Sequence, residues 1–112
     1  MSEQEDSAAE VARVQQASAA LDRLLGHRAR LTICALLARL ETMDFRRLKE
    51  CTKETDGNLG AHLSKLEQAE YLQVTKAFRG KRPVSWYQLT ARGHQAVRQH
   101  LQALEDLTAG ID

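Results

Sequence analysis

The feature that most constrains this chain is a change of hydrophobic period near residue 70. Up to that point apolar residues recur at helical spacing, ending with Leu59, Leu63 and Leu66. Beyond it they follow a strand pattern, Tyr71, Leu72, Val74 and Phe78 in one run and Val84, Trp86, Tyr87 and Leu89 in a second. The two runs flank Arg79-Gly80-Lys81-Arg82-Pro83. Glycine supplies the turn, and proline ends ladder pairing at its own position. A helical period then returns and holds almost to the end. The expected fold is mainly α, with a two- to three-stranded β-sheet whose hairpin projects between helices.

The helices before the hairpin can be bounded from their caps. Residues 1–6 hold Glu3, Glu5 and Asp6 and are expected to form a disordered acidic tail ahead of a single domain at 7–110. Ser7-Ala8-Ala9-Glu10 reads as a capping box, opening a helix that carries Val11, Val14, Ala17, Leu21, Leu24 and Leu25 to about Gly26. Its apolar stripe is narrow, as in a helix–helix seam. The next helix, 27–40, is apolar most of the way round and should be central to the core. Glu41-Thr42-Met43-Asp44 interrupts it, and Asp44 caps a short helix with Phe45, Leu48 and Cys51 at a spacing of three. After a polar turn, Thr55 caps a helix at 56–69. Thr90 caps the last, at 91–108, where Val97, Leu101, Leu104 and Leu107 form a second narrow seam.

Turning each residue by about 100° puts Gly57, Asn58, Ala61, Ser64, Lys65 and Gln68 opposite the leucines of helix 56–69. Small residues allow close approach, and the polar ones can hydrogen-bond to what approaches. A plain solvated face is the simpler reading of this helix alone, but such faces usually carry more Glu and Lys. Charge points the same way. The net charge of the 112 residues is only +1, yet residues 71–100 hold Lys76, Arg79, Lys81, Arg82, Arg92 and Arg98 and no acid.

Two short helices, a tight turn and a basic ribbon describe a winged helix-turn-helix, whose second helix fits a DNA major groove and whose hairpin meets phosphates or a minor groove. The segments Phe45-x-x-Leu48, Asp56-Gly57-Asn58-Leu59-Gly60-Ala61-His62-Leu63, Lys65-Leu66-Glu67, Lys76-x-Phe78-x-Gly80-x-x-Pro83 and Tyr87-x-Leu89-Thr90-x-x-Gly93 resemble small winged-helix regulators related to the ArsR and MarR families. The resemblance covers about residues 27–107. It implies a homodimer that binds a roughly palindromic operator, usually as a repressor, and it leaves open an effector, either a small molecule or a protein. One departure stands out. The family pattern Ala-Gly-Tyr after the second helix is here Ala69-Glu70-Tyr71, so either a left-handed helix end falls on a glutamate or the helix ends differently.

The expected DNA-binding residues are Thr55, Gly57, Asn58, Ala61, His62, Ser64, Lys65, Gln68, Lys76, Arg79, Lys81 and Arg82. Val14, Leu21, Leu24, Val97, Leu101 and Leu104 are the expected dimer contacts, on helices 7–25 and 91–108. Cys34 and Cys51 are too far apart for a metal motif and read as core residues. His62, His94 and His100 lack the close spacing of metal ligands, and no metal or cofactor is expected. No nucleophile–base motif or phosphate loop supports an enzyme. Neither a signal peptide nor a membrane span is visible, so a cytoplasmic protein is expected. The alternative function is a winged-helix protein-interaction module that does not bind DNA. The cationic hairpin and the small polar helix face favour DNA.

Overall fold

The computed structural model describes residues 3–111, and side chains from Asp6 onward. Among the described residues five helices and three strands follow in the order α1 (Glu3–Ala20), α2 (Arg28–Leu40), β1 (Thr42–Asp44), α3 (Phe45–Thr52), α4 (Asp56–Gln68), β2 (Leu72–Arg79), β3 (Arg82–Leu89) and α5 (Ala91–Thr108). The strands form one antiparallel sheet in the order β1-β3-β2. β2 and β3 close with Arg79 opposite Arg82, so the turn is Gly80-Lys81. Gly80 takes a φ of +67°, the conformation a two-residue hairpin demands at its first turn position.

The core lies where α2, α3 and α4 meet the sheet. Leu25, Ile33, Cys34, Leu37, Met43, Leu48, Leu59, Leu63, Leu66 and Leu72 are all buried there. Three caps are those expected: Asp44 accepts the Arg47 N–H, Thr55 the Asn58 N–H and Thr90 the Gly93 N–H. α4 closes in a complete Schellman motif. The Tyr71 N–H reaches the Leu66 carbonyl at 2.9 Å, and the Glu70 N–H reaches Glu67 at 2.9 Å. Glu70 takes the left-handed conformation that this requires, with φ 65°.

Several expectations are corrected. Glu41–Asp44 is no mere interruption, because Thr42, Met43 and Asp44 pair with Gln88, Tyr87 and Trp86. α1 begins by Glu3, so Ser7 lies inside the helix instead of capping it, and the described part of segment 1–6 is helical. Residues 1 and 2 lie outside the described residues. α1 also ends at Ala20, not near Gly26. The reason is tertiary. The Asp22 carboxylate accepts the Leu24 N–H at 2.8 Å and the Tyr71 hydroxyl at 2.5 Å, which turns the chain and drives Leu25 into the core. Cys51 is exposed. A spacing of three falls about 60° behind the helical turn at each step, so the third residue of Phe45, Leu48 and Cys51 leaves the buried stripe.

α1 lies along α5 of the same chain, with Ala17 and Ala103 buried. The two seams therefore face one another within one chain in part. Val97 is buried in the chain's own core, and Leu24, half-buried, packs against that core. Leu21 and Leu104 are half-buried, while Val14 and Leu101 are about half exposed. The arm makes the molecule long, 71 × 25 × 22 Å with a radius of gyration of 18.0 Å. A compact chain of this length would measure about 13 Å. Among the described residues no helix is long and apolar enough to cross a membrane.

Candidate nucleic-acid interface

Leu59, Leu63 and Leu66 anchor α4 and are almost wholly buried. Their burial leaves Gly57, Asn58, Ala61, Ser64, Lys65 and Gln68 exposed together on the far side. Gln68 donates to the Ser64 hydroxyl at a long 3.4 Å, and the Lys65 ammonium has no carboxylate within salt-bridge distance among the described residues. Thr55 is exposed but its oxygen is occupied by the cap. Asp56, the first residue of α4, is neutralised by Lys49 at 2.8 Å.

Strand alternation divides the hairpin into two faces. Leu72, Val74, Lys76 and Phe78 share one with Leu89, Tyr87, Ser85 and Pro83; Arg79, Arg82, Val84 and Trp86 lie on the other. The three bases of segment 79–83 thus do not form one cluster: Arg79 and Arg82 share a face, Lys81 is in the turn, and Lys76 lies opposite. Arg79 is held back on its sheet. It donates to Asp44 at 3.2 Å and lies 5.7 Å over the Trp86 ring. Tyr87 faces the core, and its neighbour Trp86 on the other face carries the arginine. Phe78, which did not stand out in the sequence as a site residue, is 75% exposed near the hairpin tip.

His62 sits at the flank of α4, half-buried against Arg30 and His27. Neither neighbour was foreseen, since both lie more than thirty residues earlier in the chain. Burial, with His27 and Arg30 close by, holds the His62 pKa below its ordinary 6.5. His100 is buried in the arm, its Nδ1 accepting the Asp22 N–H at 3.0 Å. Burial pushes the Cys34 thiol up to about 12, so that sulfur stays protonated and unreactive.

An exposed polar recognition-type helix beside a cationic hairpin is the geometry of a DNA reader, and residues 29–108 match a family described as a winged helix DNA-binding domain. The chain belongs to that family. This winged helix protein is 34% identical over 83 residues to an uncharacterised protein of Methanocaldococcus jannaschii, covering 74% of this chain and 90% of that one. Its fold is similar to the transcriptional regulator homologue protein from Pyrococcus horikoshii, with a TM-score of 0.76, 23% identity, and 93% and 98% of the two chains covered. It is also similar to Sco3205, a MarR family transcriptional regulator from Streptomyces coelicolor in complex with DNA, with a TM-score of 0.61 and 19% identity over 94% and 72% of the chains. YodB of B. subtilis, in its reduced form, gives 0.62 and 24% identity over 100% and 98%. The family is that of a winged helix DNA-binding domain, and the fold is the one these solved structures share.

Proposed function

We propose that this winged helix protein is a sequence-specific regulator, a homodimer that represses by occupying its operator. The observation that carries the reading is the exposed face of α4 standing beside the basic hairpin. In it, Asn58, Ser64, Lys65 and Gln68 meet base edges in the major groove. Gly57 and Ala61 allow close approach, and Thr55 and His62 flank the contact. Lys76, Arg79, Lys81 and Arg82 meet phosphates or a minor groove, where they act mainly as charges. Val14 and Leu101, with Leu21 and Leu104 beside them, supply the apolar contact between protomers. The extended arm supports this, because a lone chain leaves Val11, Val14 and Leu101 about half exposed on one narrow structure. Two-fold pairing is the commonest way to cover such a surface, and it sets two α4 helices about one DNA turn apart or a multiple of it.

Light scattering tests the assembly. The expected mass is twice the 12.6 kDa of one chain, and a stable 12.6 kDa species at micromolar concentration would refute the dimer. Titration against genomic fragments at two salt concentrations tests sequence preference. One fragment should bind at least about a thousandfold tighter than scrambled DNA.

A further inference from the structure

We propose that His27 and His62 together form a neutral two-donor cradle for one phosphate of the DNA backbone, with Arg30 as the positioning residue that fixes the His62 tautomer. The proposal rests on the DNA-binding reading above and extends it to two residues outside α4. His27 caps α2, and its Nδ1 accepts the Ala29 N–H at 3.1 Å. A backbone N–H only donates, so the proton of the neutral ring sits on Nε2. His62 is fixed in the same way. Its Nδ1 lies 3.2 Å from Arg30 Nη1, and a guanidinium has no lone pair to offer. Arg30 is itself held by its Nε donating to the Leu24 carbonyl at 2.7 Å. Both rings therefore keep an N–H on the nitrogen away from their internal partners. Their centroids are 4.5 Å apart at a tilt of 44°.

The groups facing His62 favour this uncharged form. His27 from the segment before α2, Arg30 from α2 and Lys65 from α4 all disfavour a second positive charge there, and Glu54 alone opposes them. Two imidazolium rings at this separation would repel. With each Nδ1 facing a donor, the pair offers Nε2–H groups instead of cations. A metal ion would need a bare Nε2 on each ring. That would move the proton to Nδ1 and break both internal hydrogen bonds, so the complementary ligand is an acceptor. His62 is placed for it, three residues before Lys65 and four after Asn58 on the edge of the outward face of α4. A helix seated in a major groove has phosphates along that edge.

A neutral contact leaves a signature that a cation does not. It adds affinity without releasing a counterion, so its loss weakens binding while the salt slope stays fixed. Long-range proton–nitrogen NMR on the free protein should find Nε2–H on both rings. His62→Ala, and His27→Asn, which keeps the α2 cap, should each weaken binding to a mixed-sequence duplex of about twenty base pairs by about tenfold at every salt concentration. His62→Gln, whose amide can still donate, should recover part of that loss. An Nδ1–H tautomer in either ring overturns the cradle, as does unchanged affinity or a salt slope lower by about one. If inorganic phosphate moves the Nε2 signals but the variants bind DNA like the wild type, the pair is a free-anion site and the proposal fails alone. A wild type that binds no duplex overturns the functional reading with it.

Discussion

Glu70 shows how a single residue records a conflict between local and tertiary demands. The Schellman end of α4 needs a left-handed residue, and a side chain there costs about 1–2 kcal/mol. The compensation visible at Glu70 is an ion pair with Arg92 at 3.0 Å, with both side chains largely exposed and so worth little. Glu70→Gly should therefore raise unfolding stability by about 1 kcal/mol in a urea titration. Gly93 is the opposite case. A Cβ there would lie 2.3 Å from the Tyr71 carbonyl oxygen and 2.8 Å from Leu89 Cδ1, so Gly93→Ala should cost about 3 kcal/mol or more. Stability should also fall at alkaline pH. Burial raises the folded pKa of Cys34 from 9.0 to about 12, and burial with the Asp22 hydrogen bond raises Tyr71 from 10.0 to about 12. A raised folded pKa means stability that is complete below the unfolded value and lost above it, here from pH 9 for Cys34 and pH 10 for Tyr71. Cys34→Ala should flatten the decline that begins near pH 9 in pH-dependent unfolding. Of these residues the Glu70 conflict was readable beforehand, because the resemblance to winged-helix regulators implies a glycine at that position. The exposure of Cys51 was not, because a three-residue spacing in an eight-residue helix does not reveal where the core stops.

The elements that read well from sequence are those whose ends are chemical. Asp44, Thr55 and Thr90 set the starts of α3, α4 and α5, and Gly80 sets the hairpin turn. β1 was hidden because a three-residue strand has no period, only a partner in β3. The end of α1 was hidden because Leu21, Leu24 and Leu25 continue a helical spacing while Asp22 is bonded to Tyr71 and His100, far along the chain. The candidate interface was legible as far as α4 and the hairpin carry it alone. What the sequence could not reveal is contact between elements, such as Arg79 on Asp44 or His27 beside His62. Asp44 links two elements at once, capping α3 and restraining Arg79. Asp44→Ala should cost about 1–2 kcal/mol through the lost cap. It should also tighten non-specific DNA binding, because a carboxylate leaves the neighbourhood of the basic hairpin. A variant that loses stability with no gain in affinity would show that Arg79 does not reach DNA.

At the scale of the molecule, the fold divides labour. The core fixes α4 by its leucine side and turns the polar side outward, the hairpin carries charge, and the arm of α1 and α5 extends away from both. The central claim is that α4 reads sequence while the hairpin supplies affinity. Its direct test is one set of titrations against an operator and a scrambled duplex at two salt concentrations. Asn58→Ala and Gln68→Ala should each lose about 1–3 kcal/mol on the operator and little on scrambled DNA, with the salt slope kept. Lys81→Ala combined with Arg82→Ala should weaken both duplexes alike and flatten the salt slope by about two counterions. Wild-type affinity of the hairpin variant for both duplexes would contradict the account, and so would equal losses on both duplexes for Asn58→Ala and Gln68→Ala.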